Sequence, residues 1–167
     1  KNPVDIKIIY GMEGYVFDDA DCRNVDGSID YKKKPTNHII LLAKTQEGLK
    51  NIYKLVSWSH LDYFYKRPRL PKSVIAEHRE GLIIGSACEA GEVYRAVSSG
   101  KSQEEIEKVA EFYDYLEIQP LINNQFMIDK GMVTGQEQLK EYNRQIVQLG
   151  EKMGKPVVAT TDSHYGE

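Results

Sequence analysis

The sequence predicts an α/β fold of mainly parallel strands with surrounding helices. Two observations carry that reading. Short apolar runs of β-type composition alternate with stretches whose apolar residues recur at helical spacing. The side chains able to do chemistry border those runs rather than sit within them, and in parallel α/β folds the carboxyl ends of strands carry the functional loops. At 167 residues the chain fits one domain with a proper core.

Taken in order, the first strand is expected over Ile6 to Tyr10, extending through Tyr15, Val16 and Phe17. Residues 18–37 carry no apolar period and read as a long loop, of a length that marks disorder, function or the scar of an insertion. His38 opens the next apolar run, Ile39 to Ala43. Thr45 can cap a helix over roughly 46–65, where Leu49, Ile52, Leu55, Val56, Tyr63 and Phe64 keep a helical face. Its aromatic residues Tyr53, Trp58, Tyr63, Phe64 and Tyr65 read as packing more than as a base-stacking platform. The segment Lys66-Arg67-Pro68-Arg69-Leu70-Pro71-Lys72 concentrates cations between prolines and reads as exposed, either a solvated linker or a surface for phosphate or acidic protein.

A short helix from near Pro71 to Gly81 precedes the strand Leu82 to Ala87, which runs into Cys88-Glu89-Ala90-Gly91. Helices over about 89–98 and 103–113 follow, the second opened by the capping box Ser102-x-x-Glu105. Tyr115 to Gln119 reads as a strand stopped by Pro120, and 120–133 as irregular. Thr134-x-x-Glu137 starts the last helix, which Gly154 ends, and Lys155-Pro156 feeds the closing strand Val157 to Thr161. Right-handed crossovers bring the ends of such strands to one face, as in a barrel.

Composition narrows the function classes. A formal charge of −3 gives no global basic field toward nucleic acid, so any such contact must be local. The longest apolar runs fall far short of the roughly 20 residues a membrane-spanning helix needs. Two cysteines, Cys22 and Cys88, make no disulfide framework, and a cytoplasmic setting is expected in which Cys88 is free to bind metal.

Asp162-Ser163-His164, straight after the closing strand, sets two metal-ligand side chains one residue apart at a strand end. Alone it is also the pattern of a turn beside a surface imidazole. Glu13, His38 and Cys88 each border another apolar run, and these three together with Asp162 and His164 point to a metal centre.

Several segments carry a family resemblance. Gly11-Met12-Glu13, His38 to Lys44, Gly48 to Ser57, Gly81 to Cys88 and Pro156 to Tyr165 resemble the polymerase-and-histidinol-phosphatase (PHP) domain of bacterial replicative DNA polymerase III α subunits, nearest the Gram-positive PolC type. The resemblance implies an incomplete PHP-type distorted (β/α) barrel over 1–167, binding zinc, manganese or iron through Glu13, His38, Cys88, Asp162 and His164. It places the 18–37 loop where many relatives insert an exonuclease domain. The family's His-x-His strand and Asp-His pair find no match among His38, His60, His78 and His164, so the sequence is expected to start partway through the domain, with partial or absent metal occupancy.

Two functions follow from the resemblance. The segment is a structural metal-binding module within a DNA-directed DNA polymerase, its partners the remaining domains of the α subunit and DNA. Alternatively the PHP site is itself a metal-dependent phosphoesterase or 3′–5′ exonuclease, with Asp162 and His164 in the hydrolytic site and metal-activated water attacking phosphorus. The isolated segment is expected to be inactive, and either to self-associate through the exposed edges of the strands at Ile6 to Tyr10 and Val157 to Thr161 or to be only marginally stable as a monomer.

Overall fold

The computed structural model describes residues 7–20, 22, 24–28 and 30–161. It is a mixed α/β structure that divides into two compact units. One comprises residues 1–36 and 40–83, the other 37–39 and 84–167, so the division falls inside two strands.

The four-stranded sheet has the order β3-β1-β2-β4, where β1 is Gly11–Phe17, β2 is Asn37–Ala43, β3 is Leu70–Pro71 and β4 is Leu82–Gly85. β1 and β3 run parallel, Val16 opposite Leu70 and Phe17 opposite Pro71. Residues 7–10, expected as strand, are not: Ile8, Ile9 and Tyr10 are left exposed, and the strand begins only at Gly11. β3 was not foreseen, because two residues within a proline-bounded cationic segment give no period to read.

Helix α1, Gln46–Leu61, is capped by the Thr45 hydroxyl, which accepts from the Gly48 N–H at 3.1 Å. It ends four residues earlier than its apolar pattern suggests. It buries Ile52 and Leu55, one helical turn apart, in a core with Val16, Phe17, Leu41, Leu70 and Ile75. A Cβ on Gly48 would sit 1.9 Å from the Gly81 carbonyl oxygen, so the first turn of α1 packs backbone against backbone on the turn before β4. Helix α2, Lys72–Glu77, has Pro71 at its N-cap and no side-chain cap of its own. Asp19, from the long loop, supplies one, accepting from the Ser73 N–H at 3.0 Å and from its hydroxyl. The described part of that loop is thus tied to the unit: Cys22 is buried, and Tyr31 stacks on Phe17 with centroids 5.6 Å apart.

The second unit contains α3 (Glu92–Ser98), α4 (Gln103–Ala110), β5 (Leu116–Ile118), a 3-10 turn (Leu121–Asn124), α5 (Gln125–Asp129), α6 (Gln136–Met153) and β6 (Val157–Ala159). The stretch 120–133, expected to be irregular, carries the 3-10 turn and α5. β5 and β6 are parallel in the register Leu116 to Val157, and a parallel bridge joins Gly85 to Tyr115. Val93, Val97, Ile106, Leu116, Leu139, Ile146 and Leu149 form the core. The Ser102–Glu105 capping box is present as expected. The second expected box is not, because Gly135 takes the N-cap of α6 and Thr134 instead donates its N–H to Gln138 Oε1 at 2.9 Å. Gly154 ends α6 in the left-handed region at φ 65°.

Candidate metal centre

The loop after β4 is built by three local constraints. Gly85 has the Tyr115 ring where a side chain would lie, its Cβ position being 2.2 Å from Cζ. Ala87 takes φ 60°, a left-handed conformation that residues with a Cβ seldom adopt. Gly91 then closes the turn, donating to the Cys88 carbonyl at 2.8 Å, and a Cβ there would come within 2.1 Å of the Ser86 carbonyl oxygen.

The same turn holds the start of β2. His38 donates its N–H to the Ala90 carbonyl at 3.0 Å, and His38 and Gly91 form a parallel bridge. Arg95, in α3, steadies the neighbouring residue by donating to Asn37 Oδ1 at 3.0 Å. These backbone restraints bring the half-buried Cys88 Sγ to 3.4 Å from His38 Nδ1, across fifty residues of sequence.

That separation suits a shared cation. Zinc bonds of about 2.3 Å to sulfur and about 2.0 to 2.1 Å to nitrogen, at a tetrahedral angle, set the two donors about 3.6 Å apart. A thiolate beside an imidazole is a donor pair that favours a borderline-soft ion over magnesium or calcium.

The other expected ligands are placed as follows. Glu13 lies in the first unit, exposed on β1, where with Tyr15, His60 and Pro68 it borders a small cleft of about 140 Å³. Its carboxylate is a further donor of a type that holds a metal ion. Asp162 and His164 lie outside the described residues. The chain leading toward them is held on β5, Thr160 donating its N–H to Ile118 at 3.0 Å. His60 and His78 are engaged elsewhere, with Nδ1 at 2.9 Å from the Val56 carbonyl and 2.8 Å from the Val74 carbonyl.

Sequence reasoning overlooked Glu117. It is a buried carboxylate on β5 whose N–H donates to Ser86 Oγ at 3.1 Å, two residues from Cys88 in sequence. Tyr115 donates to Glu117 Oε1 at 3.3 Å, and burial together with that carboxylate raises the Tyr115 hydroxyl pKa. The available signal was an acid inside the apolar strand Leu116-Glu117-Ile118.

Comparison with known proteins gives a consistent picture. The PHP domain family matches residues 1–129. The chain is 63% identical over 138 residues to a DNA polymerase III PolC-type from Clostridium perfringens, covering 83% of this chain and 10% of that protein. It is 50% identical over 139 residues to the protein of that name from Halalkalibacterium halodurans, covering 83% of this chain and 10% of that protein. For the Bacillus subtilis protein of the same name the figures are 45% over 153 residues, 92% of this chain and 11% of that protein. The chain thus spans about a tenth of the length of these relatives.

Proposed function

Because the chain belongs to the PHP domain family, we propose that it is a segment of the PHP domain of a PolC-type DNA polymerase III and serves there as a structural metal-binding module. The observation that carries this reading is the His38–Cys88 pair, held from the backbone at a separation that one zinc ion can span. Glu13, Asp162 and His164 are the further ligands we assign, on the strength of their residue types and their positions bordering strands. The family's distorted (β/α) barrel is the architecture we assign to the whole domain. The remaining domains of the polymerase, DNA and a second copy of this chain are the partners that fit.

Zinc suits the thiolate best, with manganese or iron the alternatives. When bound, such an ion supplies charge neutralisation and, in a hydrolytic site, an activated water. We favour a structural role over hydrolysis because the family's His-x-His strand and Asp-His pair find no match among His38, His60, His78 and His164, which leaves a partial ligand set around His38 and Cys88.

Zinc affinity of the purified chain, measured by competition with a chromophoric chelator, tests the reading. Close to one equivalent is expected, with Cys88→Ser and His38→Gln each weakening binding at least tenfold. No binding by the parent chain would reject the site. Manganese-dependent cleavage of a phosphodiester, lost in Asp162→Ala, would replace the structural role by the hydrolytic one.

A further inference from the structure

The first unit carries a cluster of cations that the metal site does not use. Arg69 is only 3% exposed, and its guanidinium carbon lies 5.0, 5.4 and 5.3 Å from the ring centroids of Phe17, Tyr31 and Tyr65. Its Nη2 donates to the Tyr31 carbonyl at 3.1 Å, and its buried Nε has no hydrogen-bond partner. Around the same Tyr65 ring stand Lys66 Nζ at 5.5 Å and Lys32 Nζ at 6.0 Å, while Arg67 covers the Tyr15 ring at 4.6 Å.

Two features show that this convergence is built in. Lys66 occupies the left-handed region at φ 63°, in a tight turn closed by the Tyr65 N–H donating to the Arg67 carbonyl at 3.1 Å. None of Lys32, Lys66, Arg67 and Arg69 forms an ion pair with a carboxylate among the described residues, whereas Lys50, Lys140, Arg144 and Lys152 do. The carboxylate at the edge of the cluster, Asp30, accepts from the Lys32 N–H at 3.2 Å and not from its ammonium. Four like charges gathered with no ion pair among the described residues raise the electrostatic energy of the free protein, and an external anion relieves it. The net charge of −3 confines that attraction to this patch.

We propose that Lys32, Lys66 and Arg67, arranged around Tyr65 and Tyr15 and backed by the buried Arg69, form a docking surface for the phosphodiester backbone of a nucleic acid. A run of phosphates presents regularly spaced anions to cations drawn from two chain segments, and phosphate contacts of this kind position a strand without reading its sequence. The inference rests on the reading that DNA is a partner and assigns the surface that would meet it, on residues other than the metal ligands, so the docking surface and the metal site can fail separately.

Binding of fluorescein-labelled single-stranded and duplex oligonucleotides to the chain, followed by anisotropy across a salt series, tests it. The triple substitution Lys32→Gln, Lys66→Gln, Arg67→Gln leaves Arg69 and the core intact. It is expected to weaken binding more than tenfold at low salt and to flatten the log affinity against log salt slope by about 2 for the single strand, near 0.7 per lost cation. The control pair Lys140→Gln, Arg144→Gln, in the second unit, is expected to leave both unchanged. An unchanged slope in the triple variant, an equal loss in the control, or displacement of the oligonucleotide by polyglutamate at equal charge concentration would overturn the proposal, the last in favour of an acidic protein surface.

Discussion

Arg69 keeps its charge among three aromatic rings with one carbonyl acceptor, an arrangement in which cation–π attraction and stem packing replace an ion pair. Burial lowers its pKa first, with Tyr31 and Tyr65 acting in the opposite direction. Replacing it tests which contribution dominates. Arg69→Ala opens a cavity between the rings and is expected to lower stability by about 2 to 4 kcal/mol, whereas Arg69→Met fills the space without a buried charge and is expected to lie within about 1 kcal/mol of the parent. Urea unfolding monitored by tyrosine and tryptophan fluorescence gives both values. From sequence alone this arginine looked solvated, like its neighbours, because two of the three rings that surround it, Phe17 and Tyr31, come from β1 and the long loop. His38 and Cys88, by contrast, were legible, since each borders an apolar run. Glu117 was hidden because a strand pattern says which residues are apolar, not which acid the fold encloses.

Helix starts show how local pattern and realised structure part company. Ser102-x-x-Glu105 and Thr134-x-x-Glu137 are the same signal. In α4 the Ser102 hydroxyl accepts from the Glu105 N–H at 3.2 Å and the Glu105 carboxylate returns the bond to the Ser102 N–H, which lowers the Glu105 pKa. Before α6 the chain instead enters through Gly135, and Thr134 bonds to Gln138. Ser102→Ala is therefore expected to destabilise by about 1 kcal/mol. Thr134→Ala loses only an exposed hydroxyl contact and is expected to change stability by less than about 0.5 kcal/mol. Parallel chemical denaturation of the two variants distinguishes them. The element order was readable because α1, α4 and α6 carry clear apolar faces. β3 and the turns within 120–133 escaped because they are shorter than any period that could announce them.

At the scale of the whole molecule, stability should fall in alkali. Tyr94 is buried, donates to Met127 Sδ, accepts from Asn124, and has its pKa pushed up to about 12 by desolvation. In the unfolded chain a tyrosine ionises near 10, so between about pH 10 and 12 the unfolded state holds fewer protons than the folded one, and stability drops by about 2 to 3 kcal/mol over that window. Urea midpoints from pH 9 to 12 are expected to show this decline, and Tyr94→Phe to make it shallower without abolishing it, because Tyr115 is raised in the same direction. Association is the second property expected at this scale. β6 pairs only with β5 among the described residues, and Val158 is 37% exposed, which leaves an apolar strand able to recruit another chain. Light scattering after size exclusion is expected to show a mass that rises with concentration, and Val158→Lys to reduce it. A concentration-independent monomer would reject this.

The meeting of His38 and Cys88 across fifty residues also has a consequence in polymer terms. An ion held by both side chains is a removable cross-link, and one that closes a loop of that size restricts the denatured chain by about 4 kcal/mol on the loop-entropy scale used for disulfides. The cation then acts on the chain's disorder as well as on its folded contacts, and the segment between the two residues is the part it restrains. Thermal melts with and without a strong chelator are expected to differ by several degrees in the parent chain and to coincide in Cys88→Ser.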